Sequence, residues 1–163
     1  MASLMKFIAD VMLGRLAKRM RLLGFDVLYD RTIDDNDIIR LSLEQDRVIL
    51  TRDSGLAARP MADNHLFITS DDVRAQMQQI LAVFPPDMLP RPLTRCSECN
   101  EPLVAISRKK VKDLVPAHVY EKHETFLQCM ICKRVYWMGT HVGRMGLGET
   151  NKKKPGSLNR SGP

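Results

Sequence analysis

The sequence lacks any long apolar segment. No apolar run approaches the roughly 20 residues that a membrane-spanning helix requires, so we expect no membrane span. Residues 1–10 have neither the apolar core nor the small-residue cleavage site of a secretory signal peptide, which predicts a cytoplasmic protein. A reducing compartment makes two structural disulfides an unfavourable use of the four cysteines.

Acidic side chains are scarce in the second half of the chain. Residues 1–84 carry 11 basic and 12 acidic side chains, whereas residues 85–163 carry 14 basic and 7 acidic ones. A basic region favours an anionic polymer such as RNA, because binding releases the counterions of the phosphates. Solubility alone is the alternative explanation, since net charge is a weak guide to partners.

Apolar periodicity in the first half predicts strands alternating with helices. The predicted strands are residues 5–9, 25–29, 47–51 and 66–69. Helices are predicted at 11–23, after 32–35, at 54–59 and after Ser70. This alternation is typical of βαβ units and a parallel sheet, so we predict an α/β fold. The predicted divisions are an α/β domain at 1–84, a proline-rich linker at 85–93, a second unit at 94–145 and a disordered basic tail at 146–163.

All four cysteines lie in two C-x-x-C pairs. Cys96 and Cys99 form the first pair, Cys129 and Cys132 form the second, and 29 residues separate the pairs. Each pair directs two thiolates to one point, and two pairs supply the tetrahedral sulfur set of a structural zinc site. The separation exceeds the roughly 15–20 residues usual for such pairs, so we expect a β-hairpin or loop between them. A redox motif would need a βαβ context, which these pairs do not have.

Aspartates follow the predicted strands or begin the second predicted helix. These acids are Asp10, Asp30, Asp34, Asp35, Asp37, Asp53, Asp71 and Asp72. In a parallel sheet such positions share the carboxyl edge, where open α/β sheets bind ligands. Clustered carboxylates suit Mg²⁺ or Mn²⁺, which activate water and stabilise charge on a phosphodiester. Helix capping is the alternative for Asp34, Asp71 and Asp72, while Asp26 fits an exposed loop position.

Several separated motifs, in this order, resemble the Mut7-C RNase domain family. They are residues 6–17, 21–26 and 50–53 of the first half, and residues 95–100 and 129–141 around the cysteine pairs. The resemblance extends over about residues 5–145. It implies a PIN-like fold, which is a small parallel-sheet nuclease domain, followed by a zinc ribbon. The lysine-rich tail and Ser42 depart from the pattern without affecting the acids.

The resemblance also implies functional residues. The acidic site of the family corresponds to Asp10, Asp53 and the start of the second helix, where Asp35 fits best and Asp37 next. A fourth acid is Asp71 or Asp72. Arg21 and Arg52 match the family pattern, and we expect both to contact the RNA backbone.

Basic residues accompany aromatic ones in the second unit. Lys109 and Lys110 lie between the cysteine pairs, and Arg134 precedes Tyr136 and Trp137. This combination predicts phosphate contacts and base stacking, although Trp137 is also suited to fill a small core. We therefore predict a Mg²⁺- or Mn²⁺-dependent endoribonuclease whose zinc ribbon aids RNA binding. The alternative is a non-catalytic RNA- or ribonucleoprotein-binding module, with a protein or ribonucleoprotein partner.

Overall fold

Four parallel strands form the sheet of the first half. The computed structural model describes residues 5–84 and 86–139. The strands are β1 (Lys6–Ala9), β2 (Asp26–Leu28), β3 (Arg47–Thr51) and β4 (His65–Phe67). Their order is β2-β1-β3-β4, and each neighbouring pair is parallel. Helices follow the strands in turn: α1 (Gly14–Leu22), α2 (Asp35–Gln45), α3 (Ser54–Ala57) and α4 (Val73–Val83). The predicted α/β architecture with a parallel sheet is confirmed.

Successive residues of the strands are buried on opposite faces of the sheet. On one face, Phe7 packs with α1 and α4, and its ring meets Phe25 and Phe84 edge-on at centroid distances of 5.7 and 5.3 Å. On the other face, Ile8 and Ile49 pack against α2. Burial on both faces is typical of a parallel sheet. It fixes the strand ends, and therefore the residues that follow them, in a rigid frame.

Gly24 follows the first helix, and its lack of a side chain leaves space for the backbone of residues 91–93. Its φ of +94° suits glycine, and its N–H donates to the carbonyl of Arg21 at 2.9 Å. A Cβ at this position would collide with the carbonyl of Arg91. The N–H of Leu93 donates to the carbonyl of Leu22 at 2.8 Å. The segment predicted as a linker thus packs against the end of α1.

The cysteine unit (residues 94–139) contains a separate antiparallel sheet. Its elements are β5 (Leu103–Ile106), α5 (Arg108–Val111), α6 (Ala117–Lys122), β6 (Phe126–Cys129) and β7 (Val135–Tyr136). Strands β5 and β6 pair antiparallel, and two short helices form their connection. Trp137 packs against the small core of this unit, which favours the core interpretation.

Some sequence predictions concern residues beyond these ranges. Residues 140–145 of the second unit and the predicted basic tail at 146–163 lie outside the described residues. Within the described ranges, no helix combines the length and apolar character needed to cross a membrane.

Candidate active site and metal centre

Three aspartates from separate segments line one small cavity. Asp10 directly follows β1, Asp35 begins α2 and Asp53 precedes α3. Together with Val11, Met12, Ile33 and Ile38, they enclose about 50 Å³. The parallel order of the strands places the ends of β1 and β3 side by side, since Ala9 pairs with Leu50. The structure therefore brings together the acids at the carboxyl edge of the sheet, as sequence position predicts.

Thr51 links two of these acids. Its hydroxyl donates to one carboxylate oxygen of Asp10 at 2.5 Å and accepts from the N–H of Asp53 at 2.9 Å. The N–H groups of Met12 and Arg52 also donate to Asp10, at 2.7 and 3.2 Å. Thr51 is fully buried and Asp10 is 4% exposed, so these contacts hold the Asp10 carboxylate in one orientation. The sequence analysis did not predict this role of Thr51. Its position at the end of a buried strand, two residues before an acid, is the sequence feature that indicates it.

The other predicted acids lie elsewhere. Asp37 forms an ion pair with Arg40 at 2.8 Å and does not line the cavity, so its position on α2 does not favour the predicted role. Asp72 caps α4 by accepting from the N–H groups of Arg74 and Ala75. Asp71 and Asp72 line a neighbouring groove instead. The capping interpretation of Asp72 therefore fits the structure.

The donor set of the cavity suits a hard divalent cation. A carboxylate has about four lone-pair sites, and Asp10 accepts three hydrogen bonds, which leaves acceptor capacity toward the cavity. Within the described residues, only the cysteines form a group of three or more candidate ligands whose donor atoms all lie within 4.8 Å of one another. The aspartates therefore do not form a complete set of close ligands by themselves. Mg²⁺, which keeps several water ligands and binds through one or two carboxylates, is the kind of ion that such a donor set would hold.

The predicted RNA-contacting residues differ in their surroundings. The backbone N–H of Arg52 contacts Asp10, and its side chain is half-buried. Lys109 and Lys110 are exposed on α5. The exposed Arg134 lies 3.6 Å from the carboxylate of Glu98. These four side chains remain accessible to an anionic ligand.

The two cysteine pairs adopt the same turn. After each pair, one residue takes a left-handed conformation: Asn100 and Lys133 both have a φ of 63°. Their N–H groups donate to the carbonyls of Cys96 and Cys129, each at 3.0 Å. The N–H of Cys96 pairs with the carbonyl of Glu101, and that of Cys129 with the carbonyl of Arg134. This repeated geometry turns both pairs toward one point.

The four sulfurs lie close enough to hold one metal ion such as zinc. All four Sγ atoms lie within 4.8 Å of one another, and none is in a disulfide. The distance from Cys96 Sγ to Cys132 Sγ is 3.6 Å, close to the roughly 3.8 Å expected for tetrahedral zinc with 2.3 Å bonds. Burial raises the pKa of the Cys96 thiol, but hydrogen bonds from Tyr136 and Cys99 outweigh it and bring the pKa to about 7. The environment thus favours a thiolate at Cys96, the form that binds metals. Burial and the neighbouring thiols raise the pKa of Cys99 to about 12 and also raise that of Cys132, so four thiolates together require the charge of a metal ion.

Arg21 joins the sheet to the first cysteine pair. Its Nε donates to the carbonyl of Val27 at 2.8 Å, and its Nη1 donates to the carbonyls of Ser97 and Glu98 at 3.1 and 3.0 Å. The residue is only 4% exposed, and this burial lowers the pKa of its guanidinium. The predicted contact between Arg21 and RNA does not fit this position, because the side chain is buried and carbonyls of the protein accept from its Nε and Nη1.

A second set of contacts joins the cysteine unit to strand β2. Asn100 accepts from the N–H of Val27 at 3.0 Å and donates to Asp26 at 2.8 Å. Asp26 also pairs with the buried Arg47 at 2.8 Å and with Arg95 at 3.6 Å. Burial raises the pKa of Asp26, but the hydrogen bonds from Arg47 and Asn100 hold it below its ordinary value. Asp26 is therefore an interface residue of β2, and the prediction of an exposed loop acid is wrong.

A family comparison extends over nearly all of the described residues. The family model described as the Mut7-C RNAse domain matches residues 5–147. This match includes the acidic cavity and both cysteine pairs, and it indicates a ribonuclease-type function with RNA as the substrate. Comparison with curated proteins and with solved structures gives no match. The resemblance predicted from separated motifs is confirmed, and the chain belongs to the Mut7-C RNAse domain family.

Proposed function

We propose that this chain is a PIN-like endoribonuclease that hydrolyses RNA with Mg²⁺ or Mn²⁺ held by Asp10, Asp35 and Asp53. The observation that carries the proposal is the convergence of these three acids on one cavity at the carboxyl edge of the sheet. Family membership supports RNA as the substrate. A cytoplasmic location and a protein or ribonucleoprotein partner remain predictions.

The residues of the cavity have distinct roles in this proposal. Asp10 is the rigid ligand, because Thr51 and two backbone N–H groups fix its orientation. Asp53 and Asp35 are exposed, line the same cavity and would complete the oxygen donor set. A divalent ion bound there supplies Lewis-acid activation of water and neutralises the charge that develops on the phosphate. Arg52, whose backbone N–H contacts Asp10 and which precedes Asp53 in the sequence, would contact a neighbouring phosphate.

We further propose that the four cysteines hold a structural zinc ion. Sulfur ligands and the closed set of four support this role rather than catalysis, which requires an open coordination position. Lys109, Lys110 and Arg134 would then present positive charge from the zinc-stabilised unit to RNA.

RNA cleavage by aspartate variants tests the catalytic proposal. Asn removes the charge but retains one side-chain oxygen, so Asp53→Asn keeps the single oxygen that caps α3. Asp10→Asn loses the acceptor at one of two hydrogen-bonded oxygens, so circular dichroism must first show that this variant folds. We expect each variant to lose at least about 100-fold in Mn²⁺-dependent cleavage of single-stranded RNA, since loss of a ligand to a catalytic ion removes several kcal/mol of transition-state stabilisation. Asp34→Asn is the matched control, because Asp34 caps α2 through the N–H of Asp37 at the same sheet edge but does not line the cavity.

The outcomes separate catalysis from binding. Cleavage that persists in both Asp10→Asn and Asp53→Asn refutes the mechanism. An equal loss in Asp34→Asn also refutes it, because the effect would then reflect general charge at the sheet edge. RNA binding measured on the same proteins, without cleavage at any Mn²⁺ concentration, supports the non-catalytic alternative.

A further inference from the structure

A groove beside the acidic cavity has no assigned function. It encloses about 520 Å³ between α1, the segment after β2 and the start of α4, a volume within the range of ligand-binding sites. Val11 and Met12 line both this groove and the acidic cavity. A ligand that occupies the groove therefore lies next to Asp10.

Three basic side chains and two acidic ones, Asp71 and Asp72, line the groove, and its arginines offer donors to an anionic ligand. Arg15 and Arg31 line it, are exposed, and have no ion-pair partner in the part of the chain that the structure describes. Lys18 lines the same wall, where it pairs with Glu98 at 2.9 Å. The capping role of Asp72 directs one carboxylate oxygen to the backbone of α4. The two guanidinium groups thus have unused donors, and guanidinium groups match phosphate by paired hydrogen bonds.

A fixed aromatic ring adds a second kind of contact. Tyr29 lines the groove, and its hydroxyl donates to the carbonyl of Val11 at 3.1 Å. The ring packs so closely on α1 that a Cβ at Gly14 would lie 2.6 Å from the Tyr29 hydroxyl oxygen. The absence of a side chain at Gly14 therefore allows the Tyr29 ring to pack directly against the helix. A half-buried ring held in this way can stack an unpaired base at little entropic cost.

We propose that this groove binds a single-stranded segment of RNA and leads it to the acidic cavity. Arg15 and Arg31 contact successive phosphates, and Tyr29 stacks one base. The exposed Met12 lies where the groove meets the acidic cavity, since it lines both. A single strand is specified because bases in a duplex are paired and stacked on each other, which leaves none for the ring. The inference rests on the proposed ribonuclease function and adds the path of its substrate.

Binding of a labelled RNA tests this groove without depending on cleavage. The probe is a fluorescein-labelled 12-nucleotide single-stranded RNA of mixed sequence, measured by anisotropy without added Mg²⁺ or Mn²⁺ at several salt concentrations. We expect Arg15→Ala with Arg31→Ala to lower the slope of log K against log salt by about 1.4, at roughly 0.7 for each lost phosphate contact. Tyr29→Leu should weaken binding about 5- to 150-fold, whereas Tyr29→Phe, which keeps the ring, should bind close to wild type.

A charge-matched control lies on the other side of the sheet. Arg40→Ala with Arg59→Ala removes two positive charges from side chains that line a different cavity, at α2 and after α3. If this control loses the same salt slope, or if the groove variants bind like wild type, the groove proposal is overturned. Absence of measurable binding by the wild type at low salt overturns it as well. Loss of binding by the groove variants, together with cleavage that survives Asp10→Asn and Asp53→Asn, supports the groove and refutes the proposed catalytic mechanism.

Discussion

Replacing Arg21 with methionine should destabilise the whole protein while leaving RNA contacts intact. The side chain makes one hydrogen bond within the first half, to Val27, and two across the interface, to Ser97 and Glu98. Methionine fills a similar volume but offers no donor. The buried carbonyl of Val27 then loses its charged partner, and the cysteine unit loses its central attachment to α1.

The size of the effect follows from these three bonds. A hydrogen bond to a charged group contributes about 1.5–3 kcal/mol, but water can reach the two part-buried carbonyls of the cysteine pair once the guanidinium is gone. Desolvation of the arginine, which lowers its pKa, also offsets part of the gain. We therefore expect a loss of about 2–4 kcal/mol in unfolding free energy. For a protein of this size that corresponds to a fall of about 6–12 °C in Tm.

Thermal unfolding of the zinc-loaded protein, followed by circular dichroism, measures this change. Arg19→Met is the control, because Arg19 lies on the same helix and its side chain has no hydrogen bond or ion pair within the described residues. A Tm for Arg21→Met within about 2 °C of that control would contradict the structural role. The salt slope of RNA binding gives a second readout: a direct phosphate contact would lower it by about 0.7, and we expect no change.

Two further predictions concern the same interface, and a third concerns the metal centre. Gly24→Ala should lower the unfolding free energy by about 1–3 kcal/mol in urea titrations, since alanine disfavours the positive φ and meets the Arg91 carbonyl; an unchanged midpoint would contradict this. The pKa of Asp26 lies below its ordinary value, so its pairs stabilise the fold above pH about 4 and lose this effect as pH falls further. The Tm difference between wild type and Asp26→Asn should therefore be largest near pH 7 and shrink toward pH 3; a constant difference would refute the assignment. Metal analysis should find one zinc per chain, and Cys132→Ser should bind it more weakly and unfold at lower temperature, whereas full zinc content in that variant would exclude Cys132 as a ligand.

Short sequence patterns predict much of the site, because a parallel sheet places the residues that follow each strand at the same edge. Once strands alternate with helices, the residues that follow each strand lie at the carboxyl edge, and the adjacency of β1 and β3 in the sheet then brings Asp10 and Asp53 together. The C-x-x-C spacing is equally local, and both turns close through bonds between residues four apart. These features depend on short stretches whose geometry the sequence specifies directly.

Contacts between segments that are far apart in the sequence cannot be predicted from such short patterns. Arg21 and Ser97 are separated by 76 positions, and nothing near Arg21 in the sequence distinguishes a buried arginine from one that faces RNA. Asp26 resembles a loop acid because its partners, Arg47 and Asn100, come from two other parts of the chain. Asp37 and Asp35 share the first turn of α2, but only the rotation of the helix against the sheet decides which one reaches the cavity.

Helix α1 extends from the groove beside the acidic cavity to the first cysteine pair. Its first residues, Gly14 and Arg15, line the groove beside the acidic cavity, and its last turn contains Arg21, which contacts the first cysteine pair. Nine helical residues span about 13 Å, so the two sites lie little more than the length of one rigid element apart. Lys18 of the groove wall also pairs with Glu98 of the first cysteine pair at 2.9 Å. We therefore expect the cysteine unit to support the groove wall through α1 as well as to carry basic residues.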